Sequence, residues 1–111
     1  MEKKLMKNIE KGKVQNMADL VVYQDGQIVS KTLVQNKAVS MTLFAFDAAE
    51  EISTHASHGD ALVEVLDGVA LVTVGSEKFD VAAGESIVMP AEVPHAVEAK
   101  TKMKFFLTVV F

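Results

Sequence analysis

The sequence predicts an all-β domain, and three observations predict it. Short apolar runs separated by turn residues recur along the chain, no stretch sustains a helical period, and the composition is that of one globular core. Half of the 111 residues are hydrophobic, which fits one domain and not a disordered chain. A domain of this length buries roughly two thirds of its extended surface, enough to fold without disulfides or a structural metal. A metal, if bound, serves function.

Residues 1–13 (MEKKLMKNIEKGK) read as a solvated charged tail, since only Leu5, Met6 and Ile9 interrupt the lysines and glutamates as apolar anchors. Residues 14–111 form the β domain. Ala18 to Gln24 (ADLVVYQ) is expected to be a strand that stops at Asp25-Gly26, and Ile28 to Gln35 a second that stops at Asn36-Lys37. Val39 to Phe46 follows, then a short strand from Ile52 to Ala56. Ser57 to Asp60 (SHGD) is a turn into Ala61 to Leu66, and Asp67-Gly68 closes the clearest hairpin of the chain with Val69 to Val74. Lys78 to Val81, Glu85 to Met89, His95 to Ala99 and Met103 to Phe111 complete the series.

In the last strand Met103, Phe105, Leu107, Val109 and Phe111 share one face, which should point to the core. The opposite face is half apolar, as are both faces of Ala61 to Val74, so a second layer is expected outside the barrel. A homodimer packing sheet on sheet would supply it; the alternative is cover from a long loop of the same chain.

Composition excludes several functions. Without cysteine there is no disulfide framework, thiolate metal site or cysteine nucleophile. The net charge is −4 and the lysines gather in the tail instead of interleaving with aromatics, so nucleic acid is not an expected partner. The N-terminal stretch lacks the apolar run of a signal peptide or membrane span, which makes a cytoplasmic protein the expectation. No serine lies in a nucleophile elbow, and no glycine-rich loop precedes a helix. Glu50 and Glu51 read as a solvated loop pair, and Met41, Met89, Met103, Phe44, Phe46 and Phe105 as core.

The three histidines, at 55, 58 and 95, all fall at or beside turns. His55 and His58 flank the Ser57 to Asp60 turn, and His95 follows Pro90 to Pro94 (PAEVP), where two prolines fix the backbone.

Residues His55 to Gly68 and Gly84 to His95 resemble the two sequence motifs of the cupin superfamily. Anchored on Gly68, the first motif places His55 at its first histidine, Ser57 at its second and Ala61 at its glutamate. Gly84, Pro90 and His95 match the second motif, while Glu92 and Ala99 replace its second glycine and its asparagine. The resemblance covers the chain from Phe44 onward and implies a cupin-type double-stranded β-helix, a jelly-roll barrel of a single domain. It also implies a small-molecule pocket around His55, Ser57 and His95, and a divalent metal (Zn, Ni, Fe or Mn) on His55 and His95.

Two histidines are fewer ligands than a catalytic metal site normally offers. His58, Asp60 and Glu64 are the candidates to complete the set, although the register implied by the motif puts Glu64 on the outer face. Two functions therefore compete: a metal-dependent cupin acting on a small molecule, and a metal-free binding or regulatory cupin with a degenerate site. A third reading makes the barrel chiefly a dimeric structural or regulatory partner.

Overall fold

The computed structural model describes residues 5–111. After a 3-10 turn at Met17–Leu20 come nine strands: β1 (Ile28–Gln35), β2 (Val39–Phe46), β3 (Glu51–His55), β4 (Asp60–Asp67), β5 (Val69–Val74), β6 (Glu77–Ala82), β7 (Ser86–Met89), β8 (His95–Ala99) and β9 (Met103–Val110). All the strand pairs are antiparallel. One sheet has the order β1-β2-β9-β4-β7 and the other β3-β8-β5-β6, the two-sheet arrangement of a jelly roll.

Strand alternation sends Val63, Val65, Val72, Val97, Met103 and Phe105 into the space between the sheets, where they are buried. Phe44, Phe46 and Phe105 form the aromatic centre of this core. The rings of Phe44 and Phe105 stack at 4.9 Å, and Phe46 meets Phe105 edge-on at 5.3 Å, both geometries favoured by the ring quadrupole. Met89 and Met103 are core, as expected, while Met41 packs in a second cluster.

That second cluster lies on the outer face of the five-stranded sheet and joins Leu33, Val34, Leu43 and Ala45 to Val21, with Leu66 and Phe106 packed alongside. A β-bulge between Thr32 and Val34 lets two successive residues, Leu33 and Val34, both be buried where strict alternation would expose one.

Three expectations are corrected here. The strand expected at Ala18 to Gln24 is absent; Asn16 caps a 3-10 turn instead, its side-chain oxygen accepting the Ala18 N–H. The apolar residues of ADLVVYQ satisfy their burial by lying across the sheet, not by joining it. Lys104 Nζ donates to the Ala18 carbonyl at 2.7 Å and sits 4.9 Å from the Tyr23 ring centre, and the Tyr23 hydroxyl donates to Asp67. Burial and the neighbouring Asp67 charge push the Tyr23 hydroxyl well above the ordinary phenol range.

The tail is also more than a solvated one from residue 5 on. The Lys7 N–H donates to the Leu33 carbonyl, Asn8 Nδ2 to that of Thr32, and Met6 and Ile9 pack against the second cluster. The second layer predicted by two-faced strands is thus supplied in part by the chain's own residues 6–23. Val88, Val110 and Phe111 stay exposed.

The hairpin expected at Asp67-Gly68 is not formed: the chain turns there, but β4 pairs with β7 and β9 in one sheet and β5 with β6 and β8 in the other, so Gly68 carries the chain between sheets. Gly68 has φ +76°, and a Cβ there would clash with the Lys102 carbonyl oxygen. Backbone strain and a backbone clash coincide, so Gly68→Ala should lower stability by at least about 1–3 kcal/mol in denaturant titration. A variant as stable as the parent would contradict this register.

Candidate functional site

Between the sheets, at one end, lies a small cavity of about 70 Å³. Met89 and Phe105 line its inner part, Ile52, Val97, Leu107 and Val109 its walls, and Ala61 one side, with His55, Ser57 and His95 as its polar groups. The structure therefore brings His55, Ser57 and His95 together.

His95 enters by ordinary alternation on β8, sharing a face with Val97 and Ala99, and is buried. His55 does not. Ile52 pairs with Val97, so a regular ladder would set Thr54 opposite His95 and turn His55 outward. A register shift between Ile52 and His55 adds one residue to β3, and His55 pairs with His95 instead. The bulge aims the second imidazole into the barrel.

Each histidine is held from behind by a backbone carbonyl. His55 Nδ1 lies 3.0 Å from the Ser53 oxygen and His95 Nδ1 3.2 Å from that of Val93. Carbonyl oxygens only accept, so both Nδ1 atoms donate, which leaves the Nε2 lone pairs free in the neutral rings. These two Nε2 atoms lie 3.2 Å apart, the rings meeting edge to face at 73° with their centres 4.4 Å apart.

Three contacts in this chain require three protons, and two neutral imidazoles carry two. The pair is one electrophile short. A third proton is disfavoured at His95, whose pKa is lowered by burial first and by the neighbouring His55 second, against a smaller upward effect of the Val93 carbonyl.

Against a divalent ion, the pair offers two imidazole donors where a protein site usually offers three or four. In favour of one, two metal–imidazole bonds at a tetrahedral angle set their nitrogens about 3.3 Å apart, and an Nδ1–H donated to a carbonyl is the usual support of a ligating histidine.

The further ligands considered from sequence do not reach the pair, and this corrects that expectation. His58 projects into solvent, where its Nδ1 meets Glu92 Oε1 at 2.8 Å. Asp60 Oδ1 accepts the Ala91 N–H at 2.8 Å. Glu64 lies on the outer face of β4, opposite Ser86 and Phe106. Ser57 lines the cavity, but its hydroxyl is engaged in its own turn, accepting the Gly59 N–H at 3.0 Å. Among the described residues no three His, Cys, Asp or Glu side chains gather as a metal-binding group.

Sequence reasoning missed what His58 and Glu92 do. The Glu92 N–H donates to the Ser57 carbonyl at 2.8 Å, and with the His58 and Asp60 contacts this ties the 57–60 turn to the 90–94 loop at the mouth. Glu92 has φ +67°, a left-handed conformation that glycine adopts without strain. The departure at Glu92 thus trades some backbone strain for a cross-loop contact.

A family model described as a cupin domain matches residues 42–111. The chain is similar to the conserved protein SPY1581 of unknown function from Streptococcus pyogenes: 40% identity, TM-score 0.94, covering 96% of this chain and 93% of that one. It is also similar to a cupin 2 conserved barrel domain protein from Leptotrichia buccalis, at 46% identity and TM-score 0.85, covering 87% of this chain and 47% of that one. The uncharacterized protein MJ1618 of Methanocaldococcus jannaschii is 29% identical over 91 residues, 82% of this chain. The chain spans about half the length of that curated relative, 54%.

The two perturbed histidines should titrate in opposite directions in chelator-treated protein. His58, raised by its hydrogen bond to and the charge of Glu92, titrates above the ordinary value of about 6.5, and His95 below it. His95 supports folding in its neutral form above about pH 6.5, and that contribution is lost as pH falls toward its folded-state value. The His58 contribution has the opposite sign, present below about pH 6.5 and lost as pH rises through its raised value. Imidazole NMR titration checks the order, and Glu92→Gln should return His58 toward the ordinary value. Titration of His95 above His58 would contradict it.

Proposed function

This chain belongs to the cupin family, and we propose that it binds a divalent metal ion through His55 and His95 and receives a small molecule in the adjoining cavity. The observation that supports this reading is the pair of Nε2 atoms 3.2 Å apart, each ring tied at Nδ1 to a carbonyl. When bound, the ion supplies Lewis acidity at the mouth of an apolar pocket. The chain's own part is to hold both rings in the ligating tautomer and to exclude water with Met89, Phe105 and the aliphatic walls. The remaining coordination positions fall to solvent or to the bound molecule. Imidazole donors suit Zn, Ni, Fe or Mn.

A second reading is favoured by the lack of a third ligand among the described residues. In it the site is metal-free, and a hydroxyl or amine of the bound molecule donates to the histidine pair.

Calorimetric titration of chelator-stripped protein with zinc and nickel separates the two. Metal binding predicts one ion per chain, with affinity reduced at least about a hundredfold in His55→Ala and in His95→Ala. No saturable binding, or equal binding by the double variant, would overturn the metal reading and leave the metal-free one.

A further inference from the structure

We propose that two copies of this chain dock through the outer face of the five-stranded sheet, residues 6–23 of each copy seated on the β4–β7 half of the other. The face is unevenly covered. On β1 and β2, Leu33 and Leu43 are fully buried beneath residues 6–23, whereas Val88 on β7 and Val110 on β9 remain 51% and 58% exposed. Register joins the bare residues into one patch, with Thr108 beside Leu62 and Leu62 beside Val88. These three point outward, because their chain neighbours Leu107, Val109, Ala61 and Met89 line the pocket on the inner side.

One half of the face is thus a ridge and the other a bare apolar shelf. A twofold axis in the plane of the face and parallel to β9 exchanges the halves, since it lays β1 and β2 of one copy over β7 and β4 of the other. Each ridge then seats on the other copy's shelf. The ridge brings apolar surface of its own, for Val14 and Val22 are exposed on it.

Charge selects the occupant. The ridge carries Lys7, Lys11 and Lys13 against Glu10 and Asp19, and Lys31 stands on β1 in the same half. The shelf is rimmed by Glu64 on β4 and by Asp60 at the start of that strand. Lys31 and Glu64 are half-buried, and neither forms an ion pair among the described residues. A face basic on one half and acidic on the other is matched by a partner with the reverse order, and a second copy turned about the twofold has that order. A nucleic acid or an anionic membrane would match one half and be repelled by the other. Docking also covers the backs of the strands that carry Ala61, Met89 and Val109 into the pocket, so the dimer stiffens the pocket wall. None of this depends on whether the pocket holds a metal.

Sedimentation equilibrium of the whole chain tests it, in low salt, where charge pairing is least screened, and at up to about 200 µM, enough to populate a dimer of micromolar Kd. The wild type should be dimeric. Val88→Arg, at an exposed position that a monomer tolerates, should weaken the dimer at least about tenfold. Charge reversal supplies the second arm. Lys11→Glu with Lys31→Glu turns the basic half acidic, and Glu64→Lys reverses the shelf. Each variant alone should self-associate at least about tenfold more weakly, and an equimolar mixture should recover dimers containing one copy of each. Recovery on mixing also shows that both variants are folded. A wild-type chain that stays monomeric overturns the docking and leaves the shelf to another occupant. A dimer indifferent to Val88→Arg and to both reversals overturns this face as the interface, and a mixture no more dimeric than its components overturns the pairing of ridge with shelf.

Discussion

One extra residue in β3 sets His55 beside His95. Without the register shift between Ile52 and His55, alternation would set Thr54 beside His95 and send the His55 imidazole to solvent. With it, two rings from adjacent strands meet at the end of the core, each fixed by a carbonyl from its own strand or the loop leading into it. The rest of the site is arranged around that meeting. The aromatic centre around Phe105 makes the pocket apolar, and the mouth is held by backbone and side-chain contacts between the 57–60 turn and the 90–94 loop.

Rigidity of the five-stranded sheet depends on a separate device. Its outer face carries Leu33, Leu43, Ala45 and Phe106, too apolar to be left in water. Residues 6–23 cross it, anchored to β1 by the Lys7 N–H and the Asn8 side-chain amide and to the sheet by Lys104 and Tyr23. The sheet that contributes Ala61, Met89, Phe105 and Val109 to the pocket is thereby packed on both faces over part of its area.

How much of this was legible in the sequence varies by feature, for physical reasons. The β1–β2 hairpin at Asn36-Lys37 is local, its Asn36 side chain accepting the Ala38 and Val39 N–H groups, and it was legible; at Asp67-Gly68 the turn was legible but the pairing was not, because β4 and β5 find their partners in different sheets. The pairing of histidines 55 and 95, like the expectation that Glu64 faces outward, came from the resemblance to the cupin motifs. The segment ADLVVYQ misleads because its apolar spacing reflects contact with a distant cluster, and only Asn16 signals the short turn that replaces the strand. The β3 bulge cannot be inferred from His55 alone, since parity is set by the pairing with β8. Likewise, His58 and Asp60 have ligand chemistry, but their partners, Glu92 and the Ala91 N–H, lie more than thirty residues away and turn them from the site.

The family accommodates many chemistries on one barrel, so function rests on the site and not on the fold. Here the site reduces to two imidazoles lacking one electrophile between them, beside an apolar cavity. X-ray absorption spectroscopy of protein loaded with one equivalent of zinc or nickel tests this most directly. The account predicts an ion with two imidazole nitrogens at about 2.0–2.1 Å and only oxygen donors otherwise. A spectrum with no imidazole ligation, or with only one histidine bound, would contradict it.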